Sequence, residues 1–229
     1  MKTQIKKSPL FGIKAIGNNL IMCTILFFFC SFQARTAFGQ LLTYDNFDGD
    51  KYLYYGTKTG ILDTIAENPD PNSIYMNKKC AKYIRNSKQK SDNIKMNLYR
   101  RLNDLNDYDS YSGVSSVISM KINTNAPVGT PIEIKLGKNG VDDAAAINSV
   151  YLGHTSVTNE WHIVKFRFSQ LQKGSITSAT EIDQINLLFN PNSLTGHTYY
   201  FADITGPSLI PEKVELIASP ENKEVGVNK

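Results

Sequence analysis

Two carboxylates in the stretch EIDQIN, Glu181 and Asp183, come nearest in this sequence to a catalytic pair. Retaining glycoside hydrolysis uses two carboxyl groups roughly 5 Å apart, one as nucleophile and one as acid–base. A strand motif that supplies them reads E-[ILV]-D-x-x-E, but Asn186 stands where the second Glu is required. An amide cannot donate a proton and take it back. The stretch is explained without chemistry as an acid at a turn followed by a half-buried strand, so it predicts no hydrolase.

Other catalytic patterns are missing from the sequence. There is no G-x-S-x-G, no phosphate loop and no dinucleotide fingerprint, and GKNGVDD reads as a hairpin-type turn. His154, His162 and His197 lie apart, without metal-ligand spacing. Cys80 has no His partner nominated by sequence, so we interpret it as a small apolar residue at the head of a strand. The sequence predicts a protein that is not an enzyme.

Aromatic and polar side chains favour binding instead. Sugars are held by aromatic rings that stack on the apolar face of the pyranose, while amides, carboxylates and Arg take the hydroxyls. The sequence has 12 Tyr against 1 Trp, which favours amphipathic rings. A second candidate platform is the cluster YLYYG (Tyr52 to Gly56), interpreted as an early loop. The candidate ligand-binding residues, interpreted as outward-facing, are Tyr83, Arg85, Asn97, Tyr99 and Tyr151.

Segments with a period of two must position these residues. Apolar and polar residues alternate between turn formers such as NTNAPVGTP, VTNE and NPNSLTG, and no amphipathic helix of useful length is visible. The pattern predicts an all-β fold, an antiparallel β-sandwich or jelly roll of about ten strands. The candidate strands lie near residues 41–47, 60–65, 80–86, 94–99, 117–122, 132–136, 147–153, 163–168, 184–189 and 198–204.

Residues 1–39 are interpreted as a cleavable signal peptide, and the alternative is an uncleaved amphiphilic anchor. They hold basic residues and no acid, and the apolar run from Asn19 to Phe32 is too short to span a bilayer comfortably. Ala37-Phe38-Gly39 fits cleavage before Gln40, and neither Cys23 nor Cys30 follows the small residue that a lipid-attachment box needs. We therefore expect a secreted protein, whether periplasmic, extracellular or at the cell surface.

The net charge belongs mostly to that leader. The whole chain carries 25 Lys+Arg against 21 Asp+Glu, but five of the bases lie in residues 1–39, so the mature part is about neutral. A neutral chain gives no support to nucleic acid or an anionic membrane as partner. Cys80 is then the remaining cysteine, which leaves no intrachain disulfide.

Three stretches resemble the closing third of carbohydrate-binding-module-like domains found on secreted proteins of Bacteroidetes. They are NEWHIVKFRFSQL (159–171), EIDQINLLFNPNS (181–193) and TYYFADITGP (198–207). YDNFDG, ENPDPNSIYMNKKCAKYIRN and SDNIKMNL fit the same type, so the likeness covers roughly residues 41–207. Those domains are galactose-binding-type jelly rolls. The resemblance implies a carbohydrate-binding-like domain over residues 40–207, with Trp161 packed inward as scaffold.

The same resemblance bears on metal binding. In that family two adjacent carboxylates commonly precede the last apolar residue of the closing strand, and the first often helps an acid of the first strand to hold a structural calcium. Here Ala202 takes that first place, which removes one oxygen ligand from a cation that uses six to eight. Asp48 and Asp203 are the remaining candidate metal ligands, and the alternative for each is a surface carboxylate at a turn.

The stretch TYYFADITGP is interpreted as the closing strand, ended by Gly206-Pro207. Uninterrupted alternation would divide its side chains between two faces. One face would carry Tyr199, Phe201 and Asp203, and the other Tyr200, Ala202 and Ile204.

Two functions from different classes remain. The first is a non-catalytic carbohydrate-binding module that recognises a polysaccharide or glycan. The second is a structural or adhesive sandwich of a surface assembly, in which tyrosines fill corners and edges and no glycan binds. Residues 208–229 form a tail or linker that resembles the first strand and turn of an immunoglobulin-like or fibronectin-type module. We expect either a further domain of a larger surface protein after it or a disordered tail.

Overall fold

The computed structural model describes residues 41–103, 105, 118–141 and 143–211. The predictions for residues 1–39 and for the tail beyond Pro211 lie outside them. The described chain is all-β, as predicted, apart from the four-residue helix α1 (Asp143–Ala146). Within it no helix has the length and apolar character needed to cross a bilayer. The strands are β1 (Leu41–Asp45), β2 (Leu53–Lys58), β3 (Ile61–Glu67), β4 (Lys79–Ile84), β5 (Ile94–Leu98), β6 (Ile118–Thr124), β7 (Pro131–Gly137), β8 (Ile147–His154), β9 (His162–Leu171), β10 (Gln184–Phe189) and β11 (Thr198–Pro207).

The strands form two antiparallel layers. Sheet A has the order β3-β4-β11-β6-β9, with β1 paired to the end of β11, and sheet B has the order β2-β5-β10-β7-β8-β9. Strand β9 belongs to both sheets. Its first half pairs with β6, from His162 opposite Ile122 to Phe166 opposite Ile118. Its second half pairs with β8, from Arg167 opposite Leu152 onward. The two sheets are therefore joined along one continuous strand.

The core lies between the two sheets because one face of each strand is apolar. Alternate residues of β5, β7 and β10 are buried against alternate residues of β6, β9 and β11, as their period predicts. An aromatic stack crosses the middle, where the rings of Phe189 and Tyr199 lie 4.2 Å apart at 16°. Phe201 and Tyr83 pack on Phe189 at centroid distances of 5.7 and 5.8 Å. Aromatic contacts of this kind stabilise the fold beyond the contribution of the apolar surface that they bury.

The outer side of sheet A is covered by the segment before β4. Tyr75 of that segment packs on Trp161 with ring centroids 4.9 Å apart. The Trp161 indole donates a hydrogen bond to Asn68 Oδ1 at 2.8 Å. Tyr75, Trp161, Cys80 and Ala202 form a small buried cluster of their own. Trp161 is buried, as predicted, but it packs on the outer side of sheet A rather than inward between the sheets, and the buried apolar role predicted for Cys80 is confirmed.

The closing strand does not alternate without interruption, and the predicted division of its faces is wrong at Ile204. Asp203 has a positive φ of 49°, and the pairing register between β11 and β6 shifts between Ala202 and Thr205. This bulge inserts one extra residue into the strand, so the residues after it point to the face opposite the one that uninterrupted alternation predicts. Ile204 therefore joins Tyr199 in the core, while Ala202 packs on the opposite side of the sheet.

Strand β2 was not among the candidate strands. The cluster Tyr52–Gly56, expected on a loop, enters this strand, which forms the edge of sheet B beside β5. Its alternation separates two neighbouring rings. Tyr55 packs toward Phe201 in the core and donates a hydrogen bond to Asp45 Oδ2 at 3.1 Å. Tyr54 faces away from the core and is 45% exposed.

Candidate functional site

The side chains of sheet B that point away from the core form a surface that we call the B face. The antiparallel register arranges them in rows across the sheet, since directly paired residues point the same way. A first row runs through Tyr54, Asn97 and Gln184. A second row runs through Lys95, Asn186, Lys135, Val150 and Gln170. A third row runs through Leu188, Glu133, Leu152 and Arg167.

Two shallow clefts lie along the B face. The larger, of about 470 Å³, is floored by the second and third rows and walled by the loops that carry Lys90 and Asn192. The smaller, of about 310 Å³, runs past Lys95, Asn97 and Gln184 to the turn at Gly140. Because Lys95 and Asn186 are paired neighbours, the two clefts adjoin. Together they make an extended channel of polar floor, which suits an elongated ligand.

The amides in this channel differ in how they are satisfied. Gln184 Nε2 donates a hydrogen bond to Asn97 Oδ1 at 2.8 Å, so these two side chains hold each other in place. Asn186 is only 8% exposed, and its Oδ1 is buried with no hydrogen-bond partner in the described structure. Buried acceptors are nearly always paired, and an exception calls for an explanation such as a ligand or an ordered water. Asn186 therefore lines the larger cleft with an acceptor that no described group satisfies.

Two tyrosines stand at the β2 edge of the B face. The rings of Tyr54 and Tyr99 are stacked, 6.1 Å apart between centroids and 23° between planes. Both are exposed, Tyr54 by 45% and Tyr99 by 57%. A pair of exposed rings offers apolar area at low entropic cost, which is what a pyranose ring requires of a stacking partner.

The structure brings two of the five predicted ligand-binding residues together. Asn97 and Tyr99 both lie on the B face, and Tyr54 of the second predicted platform joins Tyr99 to form one platform. Gln184 and Asn186 were missed as binding residues. The signal in the sequence is their alternation with the apolar Ile185 and Leu187, which turns both amides away from the core.

The predicted outward placement of Tyr83 and Tyr151 is wrong, because both side chains are fully buried in the core. The Tyr83 hydroxyl finds an internal acceptor in Asp92 Oδ1 at 2.8 Å, and burial raises the pKa of this phenol well above its ordinary value. The prediction for Tyr151 failed because apolar residues occupy both faces of strand β8. Val150 and Leu152 face outward there, and Tyr151 inward.

Arg85 is also buried rather than outward-facing, and its guanidinium holds loops in place. It donates to main-chain carbonyls on both sides of the larger cleft, to Gln89 and Lys90 at 3.1 and 3.2 Å and to Ser193 and Thr195 at 2.6 and 2.8 Å. Its Nε donates to the Phe189 carbonyl at 2.7 Å. Arg85 therefore fixes the cleft walls from behind without reaching the channel.

The two candidate metal ligands lie in different settings. Asp203 forms an ion pair with Lys121 at 2.7 Å, and Asp48 is an exposed residue of the turn after β1. Among the described residues there is no group of three or more His, Cys, Asp or Glu side chains that could hold a metal ion. Calcium takes six to eight oxygen ligands, and main-chain carbonyls and amide side chains can supply some of them. A structural calcium stays a prediction from the resemblance.

The acids of EIDQIN are placed for structure. Lys138 Nζ lies 2.7 Å from Glu181 Oε1, and Ser178 hydrogen-bonds Glu181 Oε2 through its hydroxyl and its amide. These partners, the Lys138 hydrogen bond first, lower the pKa of the Glu181 carboxyl to about 2. A general acid needs a pKa near the working pH. Asp183 accepts the amide of Asn139 at 2.7 Å, which caps the neighbouring turn.

Comparisons with known proteins give structural neighbours only. No protein-family model matches the chain, and no curated protein sequence matches it. A family 30 carbohydrate-binding module is similar at 14% identity and a TM-score of 0.44, covering 67% of this chain and 90% of that chain. A family 11 carbohydrate-binding module from Clostridium thermocellum, in complex with a β-1,3-1,4-mixed-linked tetrasaccharide, is similar at 14% identity and a TM-score of 0.40, covering 76% and 97%.

Enzymes are also among the neighbours. An exo-β-agarase is similar at 11% identity and a TM-score of 0.43, and the match covers 76% of this chain but only 25% of the agarase. At identities and TM-scores this low, none of these similarities assigns a ligand or an activity.

Proposed function

We propose that the chain is a non-catalytic module that binds a polysaccharide or glycan along the B face. The observation that carries this proposal is one continuous outer surface that combines an exposed tyrosine pair, a row of amides and a buried acceptor without a partner. The opposite outer surface is closed by Tyr75 and Trp161. As the leader predicts, we place this binding outside the cytoplasm.

The chemistry of the B face matches the two demands of sugar recognition. Tyr54 and Tyr99 supply ring faces for the apolar side of a pyranose, and the amides of Asn97, Gln184 and Asn186 supply donors and acceptors for hydroxyls. The channel is shallow and runs across several strands, so it suits an internal stretch of a chain. Glu133, the carboxylate among the described residues that line the channel, is ion-paired with Lys135, which favours binding over hydrolysis.

Affinity electrophoresis of the purified protein through gels that contain single polysaccharides tests the proposal. We expect retardation by at least one polysaccharide, and we expect Tyr54→Ala and Tyr99→Ala to weaken it by about fivefold to tenfold each, in line with the loss of a stacking contact. Tyr99→Phe should retain most of the affinity, since it keeps the ring. The same gels run with EDTA test whether the predicted calcium contributes.

A matched control comes from the outer side of sheet A. Ile163→Ala removes an exposed apolar side chain there and should leave retardation unchanged. Binding that neither tyrosine variant weakens would place the ligand elsewhere on the chain. Failure to bind across a broad panel of neutral and acidic polysaccharides would favour the structural or adhesive alternative.

A further inference from the structure

Gly56 is a strand residue whose backbone conformation does not require a glycine. It belongs to β2 and lines the smaller cleft of the B face. Its φ lies outside the left-handed region that favours glycine, in contrast to Gly140 (φ 77°) at the turn across the same cleft. A glycine inside a strand lowers stability, and it often marks a place where a ligand approaches the backbone closely. The reason for a glycine at position 56 therefore lies in the space around it.

The pairing of β2 with β5 is irregular at this glycine. Tyr54 lies directly opposite Asn97, but the register shifts between Tyr55 and Lys58. Bulges of this kind occur often beside binding sites, where they change the direction of a side chain. Gly56 therefore lies at an irregular point of the sheet edge, two residues from the exposed ring of Tyr54.

The missing side chain leaves a gap on the B face. A Cβ atom at position 56 would lie 3.0 Å from Asn97 Nδ2 and 3.4 Å from the main-chain oxygen of Lys95. A carbon atom rarely approaches a neighbouring atom as closely as the first of these distances. The absence of a side chain at Gly56 therefore keeps open the space beside the amide nitrogen of Asn97.

A chain of three amides sets the orientation of Asn97. Gln184 Nε2 donates hydrogen bonds to Asn97 Oδ1 at 2.8 Å and to Asn139 Oδ1 at 3.3 Å, which uses both of its hydrogens. Turning the Asn97 amide over would place its N–H groups against those of Gln184, donor against donor. Asn97 Nδ2 therefore faces the gap at Gly56 and presents an N–H group to the smaller cleft.

We infer that the gap over Gly56 is a subsite for a hydroxyl oxygen of the bound glycan, which accepts a hydrogen bond from Asn97 Nδ2. Gly56 is then a specificity-determining residue, because a side chain at this position would fill the space that the hydroxyl occupies. The inference rests on the proposed function and assigns one polar contact of the same surface. The register places Asn97 beside Tyr54, so the stacking ring and the hydroxyl contact serve adjoining parts of the ligand.

Affinity electrophoresis of the purified protein through gels of hydroxyethylcellulose, xylan, galactomannan or pectin provides the test. In the gel that retards the wild type most, Gly56→Ala should weaken binding by about fivefold to tenfold, which corresponds to the loss of about one hydrogen bond. Its melting temperature should not fall, since a glycine has been removed from a strand. Gly196→Ala is the matched control. The nearest atom to a Cβ there lies 3.5 Å away, and Gly196 lines neither cleft, so binding should be kept.

A second variant tests the same contact without changing the backbone. Asn97→Asp keeps an oxygen for Gln184 Nε2 but replaces the N–H donor by an acceptor, so it should weaken binding to a similar extent. The double variant Gly56→Ala/Asn97→Asp should bind within about twofold of Asn97→Asp alone, because both substitutions remove one contact. A purely structural effect of either substitution would not produce this lack of additivity.

The other outcomes separate the inference from the proposed function. Wild-type retardation that neither Gly56→Ala nor Asn97→Asp weakens would overturn the subsite while the proposed function stands. Losses that multiply in the double variant would show that the two residues act independently, and would overturn the shared contact. Unchanged binding by Asn97→Asp alone would overturn the donor role of Nδ2. Retardation of the wild type by none of the four polysaccharides would overturn the inference together with the proposed function.

Discussion

The guanidinium of Arg85 and the carboxylate of Asp92 form a fully buried pair, with 4.0 Å between Arg85 Nε and Asp92 Oδ2 and no side-chain surface exposed on either residue. Asp92 also accepts hydrogen bonds from the Tyr83 hydroxyl and from the Asn86 amide, at 2.8 and 3.1 Å. Arg85 in turn donates to the loops on both sides of the larger cleft. The pair links the core to the cleft walls.

Replacing Arg85 by Met should destabilise the protein by about 3–5 kcal/mol, because it leaves Asp92 as a buried charge without its partner and several carbonyls without a donor. Urea titration followed by fluorescence measures the loss. Lys88→Met, an exposed substitution on the same loop, is the control and should change stability by less than about 0.5 kcal/mol. A stable Arg85→Met protein would show that the loops are held by other contacts.

Asn186→Leu should weaken polysaccharide binding while leaving stability unchanged or raising it by up to about 1 kcal/mol, since it removes a buried acceptor that has no partner. Affinity gels and thermal melts on the same sample report the two effects. Thr177→Val is the matched control. It also removes a buried, unpartnered oxygen, but away from the residues that line the clefts, so binding should be kept. Loss of stability in Asn186→Leu would mean that the amide has a structural partner in the folded protein.

Asp45→Asn should gain stability relative to the wild type as the pH rises. Burial raises the pKa of Asp45 above its ordinary value of 3.8, although the Phe47 amide and the Tyr55 hydroxyl lower it in part. A group with a raised folded-state pKa stabilises the folded protein most below its unfolded pKa, and that contribution is lost as the pH rises through the folded value.

Melting temperatures of the wild type and Asp45→Asn from about pH 3 to pH 7 measure this difference. Tyr55→Phe provides the opposite change, because it removes a hydrogen bond that favours the carboxylate and should steepen the loss of stability with pH. Parallel curves for the wild type and Asp45→Asn would contradict the expectation.

Cys80 should be unreactive toward thiol reagents at about pH 8 in the folded protein and should react at once in denaturant. Burial, with Asp63 and Glu67 nearby, raises the pKa of this thiol to about 12, so the reactive thiolate is scarce. A colorimetric thiol assay with and without guanidinium decides it. Rapid labelling of the folded protein would show that the cover of Tyr75 and Trp161 opens readily.

The fold class and most strands could be predicted from the sequence because one face of each strand is apolar and the turns carry the expected residues. Strand β2 could not be predicted, since Tyr54 and Tyr55 are neighbouring residues of the same type. The structure shows the Tyr54 ring facing outward and the Tyr55 ring in the core. The bulge at Asp203 was equally hidden, because nothing local requires a positive φ at an aspartate. A single extra residue then reversed the predicted face of Ile204.

The residues of the B face could be predicted only in part. The outward placement of Asn97 and Tyr99 could be predicted from the alternation of β5. The sequence alone does not distinguish a buried tyrosine or arginine from an exposed one. Tyr83 and Arg85 are buried because Asp92 and main-chain carbonyls satisfy their polar ends, and one of those carbonyls, that of Phe189, lies 104 residues from Arg85. The position of Asn186 on the B face is evident only from the strand pairing, which places it between Lys95 and Lys135.

The continuity of strand β9 bears on how this protein unfolds. Local unfolding that starts in either sheet can spread to the other along an unbroken backbone. The residues of β9 that are bonded to β6 lead directly into those bonded to β8. We expect the two halves of the sandwich to unfold together. Amide protons of Ile163 and Phe168 should therefore exchange with solvent at a common rate, that of global opening.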